Sequence, residues 1–460
     1  MTLCLLKSSY APPLPLYSRL DCIPVRAEPH PSAPSPRRRT GIMSFRRSPL
    51  LSLALALAPL VVADDHPYVA DSVCDCYLTN TSERYFTNHI FFDFRSLGQY
   101  AGVPDVLADW DASANAPVTS DYFNSDAWTS IWSIQNWNNT DKKGKDGNDA
   151  TVDMVNSANN IYIEKNNDQD ASSDTFMSMR TARLEGFQSS AEIESISMGY
   201  HFVSVRMLAR TLGGPGACTA LFTYREADNY ADVQEADIEI LTRDPDNRIQ
   251  YTNQPSFNAQ GDTIDKSTRN GTMPRGTSWR DWAVHRLDWD EKDSTWLVDG
   301  SKVSKIAFQV PRDPSRVMLN SWSDGGSWSG IMNVGDSAVM QIQWIDMVFN
   351  TTEGSPPGPS ESSAASASSS FTSSLTSSFT SAKRDIGLHR HGHGPMGRLE
   401  RRSGDGECQV VCSIDSSDTI GQPVMLHNGT APGQLLGQSG AMAFWLPVAL
   451  MTAAFLHLWA

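Results

Sequence analysis

The central part of the chain consists of short runs in which hydrophobic and polar residues alternate. They are YHFVSVRML, CTALFTYRE, ADIEIL, AVHRLDW, STWLVDG, RVMLNSW and VMQIQWIDMVF, and turn-prone clusters such as LGGPGA, RDPDN and DGGSWSG separate them. Because successive side chains of a strand point to opposite faces, such runs predict short β-strands. No long segment shows a helical period, so the pattern predicts an all-β sandwich or jelly roll.

The run VQEADIEILT, residues 233–242, brings acidic side chains to one face of a single strand. Carboxylates alternate there with aliphatic residues: Glu235, Asp237 and Glu239 with Ala236, Ile238 and Ile240. An antiparallel sheet with one solvated face gives this alternation without any function. Like charges so close together repel, however, and cross-strand pairing does not favour them. The second interpretation is therefore a functional group of carboxylates.

The spacing of these acids suits one kind of chemistry. Cleavage of a glycosidic bond with retention requires two carboxyl groups roughly 5–5.5 Å apart, one as nucleophile and one as acid. Cα atoms four residues apart on a strand are separated by about 13 Å, and two glutamates on a concave face can close much of that gap. The longer side chains, Glu235 and Glu239, stand at the ends, and the shorter Asp237 lies between them.

Several segments resemble glycoside hydrolase family 16, in the family's order and over about residues 199–349. The family signature is E-x-D-x-E, or E-x-D-x-x-E with a β-bulge, and LFTYREADNYADVQEADIEIL looks like its Thr-Tyr strand followed by the catalytic strand. DWAVHRLDW and STWLVDG resemble its H-x-Y-x-x-D-W and F-Y-V-D-G blocks. RVMLNSWSDGGSWSG resembles its L-M-N-x-W stretch, and VMQIQWIDMVF its closing strand.

The resemblance implies a fold and a set of roles. The fold is a concanavalin A-like β-jelly roll sandwich of two antiparallel sheets with a concave substrate cleft. Glu235 would be the nucleophile, Glu239 the general acid/base and Asp237 the assisting carboxylate. The candidates for substrate binding are Trp322, for which core packing is the alternative, and Trp328, Tyr224 and Asn253. No cofactor and no metal ion is expected.

The sequence departs from the family pattern at three positions. Ala236 stands where the family usually has a larger aliphatic residue, Ala283 at its His position and His285 at its Tyr position. Because His285 replaces an aromatic residue, we expect it to be a packed or exposed strand residue and not a catalytic base. These changes affect the identity of the substrate more than the chemistry, since all three carboxylates are present.

The activity that the resemblance implies is retaining, endo-acting hydrolysis of a cell-wall β-glucan with β-1,3 linkages, β-1,4 linkages or both. A wall glucan transglycosylase on the same fold is the alternative, and a glycan-binding wall protein without turnover or a structural mannoprotein are further ones. The net charge of −15 argues against a nucleic-acid partner, which requires a basic face. We expect a monomer.

Both ends of the chain carry targeting patterns. Residues 43–63 read as a secretory signal peptide, and residues 1–42 before it as an upstream extension outside the working protein. The catalytic domain is predicted over residues 71–352. A Ser/Thr-rich stalk at 353–382, a flexible tail at 383–427 and a glycosylphosphatidylinositol attachment signal at 428–460 follow. The predicted location is the cell surface, with a lipid anchor in the plasma membrane or a link to the cell wall.

The cysteine count agrees with a secreted protein. Of the seven cysteines, Cys4 and Cys22 fall in the upstream extension. The remaining five, which we expect to pair where geometry allows, are Cys74, Cys76, Cys218, Cys408 and Cys412. Five is an odd number, so one thiol is left over unless processing removes a segment. Sequons support a glycosylated surface and lie at Asn80, Asn138, Asn270 and Asn350.

Overall fold

The structure is a computed structural model that describes residues 66–82, 84–141, 143, 149–258, 262–352 and 408–429. The predicted upstream extension, signal peptide and Ser/Thr-rich stalk lie outside the described residues. So does the predicted attachment signal beyond Gly429.

Strands dominate the described residues, which confirms the prediction of an all-β fold. The strands are β1 Cys76–Leu78, β2 Tyr85–Phe86, β3 Asn88–Asp93, β4 Trp132–Ile134, β5 Met154–Asn156, β6 Ile161–Lys165, β7 Thr175–Arg183, β8 Gln188–Ser195, β9 Tyr200–Gly213, β10 Cys218–Arg225, β11 Gln234–Leu241, β12 Arg248–Gln254, β13 Thr268–Thr272, β14 Ala283–Trp289, β15 Ser294–Val298, β16 Ser301–Ile306, β17 Arg316–Trp322, β18 Ser337–Thr351, β19 Val410–Ser413 and β20 Val424–Asn428. Two short helices, α1 Trp110–Ala114 and α2 Asp126–Thr129, begin at the capping side chains of Asp109 and Ser125. No helix in the described part of the chain is long and apolar enough to cross a bilayer.

Sixteen of the strands form one continuous, mostly antiparallel sheet that curls into two layers. The front layer has the order β13-β12-β11-β10-β17-β8, and the back layer the order β7-β18-β9-β14-β15-β16. Pairing between β7 and β8 joins the layers, while β4 and β5 extend β8, β6 extends β7 and β3 extends β18. This is the jelly-roll arrangement that the alternating runs predicted.

The main hydrophobic core lies between the two layers. Ala236 and Ile238 of β11 point into it from the front, and Val205 and Met207 of β9 point into it from the back. Since neighbouring residues of a strand face opposite sides, the polar residues between them point out of the sandwich. The alternation in the sequence thus decides which face of each layer is buried.

His285 of β14 belongs to this core. It is 1% exposed and lies opposite Met207 on β9 and Val298 on β15. Burial lowers the pKa of His285 to about 4, although Asp299 opposes the shift. The residue is therefore a neutral, packed strand histidine on the side of the sheet away from the acidic residues of β11.

The turn between β15 and β16 shows how the sequence sets a strand register. Asp299 and Gly300 have positive φ angles of 46° and 72°. Two consecutive positive φ angles are the geometry of a type I′ hairpin turn, which Asp-Gly favours. The VDG of STWLVDG therefore closes a two-residue hairpin.

A second, four-stranded sheet joins the two ends of the described chain. Its order is β2-β1-β19-β20, and β1 runs parallel to β19. Two disulfides hold it, Cys74–Cys412 and Cys76–Cys408. We call residues 408–429 the clasp. Cys218 lies outside both bridges, in the front layer.

The clasp corrects the second part of the prediction of a flexible tail over residues 383–427, of which residues 383–407 lie outside the described residues. Residues 408–427 are ordered, because β19 pairs with β1 more than 330 residues earlier and two disulfides fix that pairing. Such a short polar segment has no periodicity of its own that could predict strands. Thr352 and Cys408 belong to the same compact unit.

Buried ionic contacts hold the clasp on the outer side of the back layer. Arg206 of β9 lies 3.1 Å from Asp415 of the clasp and 2.8 Å from Asp346 of β18. Arg286 of β14 lies 2.8 Å from the same Asp415. Arg206 alternates with the core residues Val205 and Met207, so it points away from the core. The clasp therefore covers the back of the sandwich.

His89 extends this network to the segment before β1. Its Nδ1 lies 2.6 Å from a carboxylate oxygen of Asp71, and its Nε2 lies 2.8 Å from one of Asp346. Burial lowers the pKa of His89, but the hydrogen bonds to Asp346 and Asp71 outweigh it and raise the pKa to about 9. The protonated ring donates to both carboxylates, which ties the N-terminal segment to β18.

Candidate active site

Strand β11 carries its acidic side chains on the face that points away from the core. Glu235 is 4% exposed, Asp237 1% and Glu239 3%, while the alternate residues Ala236 and Ile238 pack in the core. A solvated face would leave the carboxylates in water, so their burial excludes that interpretation. The outward side of the front layer is thus the opposite side of the sandwich from the clasp.

The flanking strands decide what surrounds each acid. On β12, the residues opposite Glu235, Asp237 and Glu239 are Gln254, Thr252 and Gln250, in that order. On β10, the residues opposite the same three acids are Tyr224, Phe222 and Ala220. Directly paired residues of antiparallel strands point to the same face. The acids therefore lie between a polar row on β12 and a mostly apolar row on β10.

An apolar cluster covers this outward face beside the acids. Its buried members are Met154, Cys218, Ala220, Phe222, Tyr224, Val233, Leu241, Met318 and Trp322, with Trp137, Ala227 and Trp328 packed against them. Such surroundings lower the local dielectric constant and so strengthen each electrostatic interaction. We call this outward side of the front layer the cleft face.

Glu239 receives two hydrogen bonds at the same oxygen. The indole Nε1 of Trp328 donates to Oε1 at 3.1 Å, and the thiol of Cys218 donates to Oε1 at 3.6 Å. Both donors fix the rotation of the carboxyl group. Trp328, predicted to bind substrate, is thus also a direct contact of an acidic residue.

The loop that follows β17 positions Trp328. Asp324 is fully buried, and its Oδ1 accepts hydrogen bonds from the amide of Gly326 at 2.9 Å and the hydroxyl of Ser329 at 3.1 Å. Burial raises the pKa of Asp324 to about 6, although these two hydrogen bonds oppose the shift.

A cavity of about 430 Å³ lies beside this loop and not over the acids. It is lined by Pro215, Gly216, Arg243, Gly325, Gly326, Ser327, Gly330 and Ile331.

Two further predicted substrate contacts lie on the cleft face. Tyr224 stands opposite Glu235, and Trp322 stands opposite Cys218 on the neighbouring strand. Trp322 is 2% exposed, and its Nε1 is buried without a hydrogen-bond partner. Trp322 is therefore packed among other side chains and also lies on the side of the acids. The sequence left core packing and substrate binding as alternatives for Trp322, and its position is compatible with both.

Asn253 corrects a prediction. It pairs with Ala236, and its amide Nδ2 donates to the backbone oxygen of Phe308 at 3.0 Å. Its side chain therefore points to the core side, away from the acids, and cannot reach a substrate on the cleft face. A shift of one residue along a strand reverses the face, so Gln254 and Thr252 occupy the side to which Asn253 had been assigned.

A fourth acidic residue, not predicted from the sequence, lies on the same face. Glu192 of β8 stands opposite Asn320 of β17, which in turn stands opposite Ala220, the neighbour of Glu239. Trp137 donates its indole N–H to Glu192 at 2.7 Å. Burial raises the pKa of Glu192 to about 7, against the hydrogen bonds from Trp137 and Asn320. The run AEIES, residues 191–195, alternates acidic and other residues as EADIE, residues 235–239, does, and could have indicated a second acidic strand face.

The described residues contain no group of three or more His, Cys, Asp or Glu side chains arranged to hold a metal ion. The acids on the cleft face instead contact hydrogen-bond donors such as Trp328 and Trp137. The arrangement is suited to proton transfer and nucleophilic attack by carboxylates.

Residues 148–346 match the sequence model of the family described as Glycosyl hydrolases family 16. The chain therefore contains a domain of this family, distantly homologous to bacterial β-glucanases. A β-glucanase of Paenibacillus polymyxa is 25% identical over 154 residues, which cover 33% of this chain and 60% of the relative. A β-glucanase of Bacillus licheniformis is 24% identical over 149 residues, 32% of this chain and 57% of the relative. The chain thus spans three fifths or less of the length of these two relatives.

Solved structures with a similar arrangement include two glucanases. The β-glucanase of Bacillus licheniformis has a TM-score of 0.37 and 18% identity, and the match covers 49% of this chain and 94% of that chain. The laminarinase catalytic domain of Thermotoga maritima MSB8 has a TM-score of 0.39 and 16% identity, and the match covers 57% of this chain and 98% of that chain.

Proposed function

We propose that the glycoside hydrolase family 16 domain of this chain cleaves β-glucan with retention of configuration, as an endo-acting hydrolase of β-1,3 or β-1,4 linkages. The observation that carries the proposal is the row of Glu235, Asp237 and Glu239 on the cleft face, buried and bordered by aromatic side chains. The two relatives are described as β-glucanases, which supports a β-glucan as the substrate class.

In the proposed reaction, a carboxylate oxygen of Glu235 attacks the anomeric carbon while protonated Glu239 gives its proton to the glycosidic oxygen. The bond between the anomeric carbon and the glycosidic oxygen breaks, and the leaving sugar departs as an alcohol. Water then gives a proton to Glu239 and its oxygen to the anomeric carbon, which releases Glu235. Two inversions give net retention. Asp237 lies between the two glutamates on the same face and assists by hydrogen bonding.

The test uses the secreted domain on a panel of β-1,3, β-1,4 and mixed-linkage glucans. We expect products of intermediate size and a new reducing end that forms first as the β-anomer in proton NMR. Glu235→Gln should abolish the intermediate-sized products and the new β-anomeric reducing end. An α-anomer as the first product, or equal turnover by Glu235→Gln, would remove the assignment. Binding without turnover of any glucan would favour a glycan-binding protein.

Transfer to a second sugar is the other candidate, and the aromatic side chains beside the acids favour it. An aromatic ring such as Trp328 can stack on an incoming sugar, and such stacking helps a bound acceptor to compete with water for the glycosyl-enzyme. A labelled oligosaccharide added together with glucan distinguishes the two reactions. Label that moves into longer chains, with few new reducing ends, identifies a transglycosylase. Label that stays in the acceptor while reducing ends accumulate identifies the hydrolase.

We also propose that the domain works at the cell surface, with residues 43–63 as the signal peptide and the segment after 428 as the anchor signal. The disulfides Cys74–Cys412 and Cys76–Cys408 support an oxidising compartment. A chain begun at Met43 should be secreted with an N-terminus near Asp64. Deletion of residues 441–460 should release it to the medium. Attachment that survives the deletion would contradict the anchor.

A further inference from the structure

We infer that Cys218 is a positioning residue for Glu239, holding the acid/base carboxyl through a hydrogen bond from its thiol. The role of Glu239 rests on the proposed function. The contact itself rests on the geometry of the folded chain, in which the Cys218 thiol lies 3.6 Å from Oε1 of Glu239.

The strand register brings the thiol to this place. Cys218 begins β10 and stands opposite Leu241 of β11 on one side and Trp322 of β17 on the other. Its side chain therefore points to the cleft face, diagonally across from Glu239, which stands opposite Ala220. Cys218 is fully buried, so its thiol donates within the protein and not to solvent.

A thiol at this position has consequences that an aliphatic side chain would not have. Cys218 and Trp328 both donate to Oε1 of Glu239, and donors to a carboxylate favour its ionised form. A thiol is a weak donor, so it orients Glu239 without preventing the carboxyl from taking up a proton in each cycle. Sulfur also reaches across 3.6 Å, a distance too long for a hydroxyl hydrogen bond.

The alternative is that Cys218 only fills space, since buried cysteine often behaves as a small hydrophobic residue. In that case a valine of similar size would preserve the pH dependence of catalysis, and any change would be one of stability. The two roles therefore differ in the proton chemistry of Glu239 and not in packing.

The experiment compares the full chain with its Cys218→Val, Cys218→Ala and Cys218→Ser variants. Loss of the donor makes the Glu239 carboxylate less favourable, so the alkaline limb of kcat/KM in Cys218→Val should move to higher pH, by up to about one unit. Cys218→Ser carries a hydroxyl that lies too far from Oε1 of Glu239 to donate, so it should behave like Cys218→Val. Leu221→Val, on the core face of the same strand, shows the effect of lost packing alone.

A second readout isolates the acid step. A dinitrophenyl oligoglucoside needs no protonation of its leaving group, and its kcat/KM reports only the first half-reaction. A fall in kcat/KM of up to about tenfold on glucan in Cys218→Val should therefore vanish on this substrate. KM should change little. A deficit of equal size on both substrates would overturn the inference.

A third readout does not depend on turnover. Carbon-13 carboxyl NMR of glutamate-labelled protein, with Glu239→Gln to assign the signal, should give a higher titration midpoint for Glu239 in Cys218→Val than in the parent. An unchanged midpoint would overturn the role of Cys218. Absence of glucan turnover in the parent would overturn the proposed function instead, and the titration would still decide whether the thiol acts on Glu239. If Cys218→Val does not fold, Cys218→Ala gives the same comparison.

Discussion

Arg206 and Asp415 are 209 residues apart in the sequence and form an ion pair of 3.1 Å in the folded protein. Arg206 belongs to the back layer and Asp415 to the clasp. Arg286 contacts the same carboxylate at 2.8 Å from the neighbouring strand. One acidic side chain of the clasp therefore contacts two buried guanidinium groups of the back layer, which Asp346 and Asp288 also contact.

The first prediction concerns this contact. Asp415→Ala leaves Arg206 with Asp346 and Arg286 with Asp288 as remaining partners. It should therefore lower the free energy of unfolding by about 1–3 kcal/mol, the cost of unsatisfied buried donors. Urea unfolding at neutral pH measures the change. Asp418→Ala, at an exposed position of the same clasp, is the matched control and should change stability by less than about 0.5 kcal/mol. Equal effects of the two variants would contradict a structural role for the pair.

The second prediction concerns the pH dependence of stability. The folded pKa of His89, about 9, lies above its ordinary value of 6.5 because of Asp346 and Asp71. Its contribution to stability is therefore complete below pH 6.5 and is lost as the pH rises through 9. The loss is on the order of 3 kcal/mol.

His89→Gln is the variant that tests this pH dependence. It removes the titrating group, so the fall in stability between pH 6.5 and 9.5 should become shallower than in the parent. Thermal unfolding across this range measures the slope. Identical slopes for the parent and His89→Gln would assign the pH dependence to other groups.

The third prediction separates the roles of the acidic residues of β11. Glu239→Gln should slow glucan cleavage by about 10²–10⁴-fold, because general acid catalysis is lost, while glucan binding is retained. Asp237→Asn should lower the rate and shift the pH profile, since it changes the charge near the acid. Ile238→Val, on the core face of the same strand, is the control. Parental rates in both acid variants would show that these carboxylates are not catalytic.

The fourth prediction concerns Glu192. Its pKa of about 7 lies above the ordinary 4.5, so its contribution to stability is complete below pH 4.5 and is lost as the pH rises through 7. Glu192→Gln cannot ionise and should be more stable than the parent at pH 8, by up to about 3 kcal/mol, with no gain at pH 4. Denaturant unfolding at the two pH values measures the difference. A gain in stability of equal size at pH 4 and pH 8 would contradict the raised pKa of Glu192.

The same variant tests whether Glu192 contacts the substrate. Glu192 lies on the cleft face, in the row that includes Asn320 and Ala220. Loss of the carboxyl partner for sugar hydroxyls should raise KM for oligosaccharides by about tenfold or more with a smaller change in kcat. An unchanged KM would restrict Glu192 to a structural role.

Much of the front layer was predictable from local sequence. The alternation in β11 fixes that Glu235, Asp237 and Glu239 share a face opposite Ala236 and its aliphatic neighbours, because the side-chain period of a strand is two. In the back layer, Asp299 and Gly300 form a tight hairpin because both accept positive φ angles. The prediction for Asn253 was wrong because a strand's face depends on the register of its partner, and that register is not written in the strand itself.

The sequence by itself determined the all-β fold, the shared face of the β11 acids and the presence of one cysteine beyond two bridges. Only the tertiary structure decided that residues 408–429 return to the domain as the clasp, that Glu192 joins the cleft face and that Cys218 contacts Glu239. The physical reason is the range of the interactions. Strand periodicity and turn chemistry act over a few neighbouring residues, whereas strand pairing, disulfides and buried ion pairs join segments that are distant in sequence and acquire their partners only when the chain is folded.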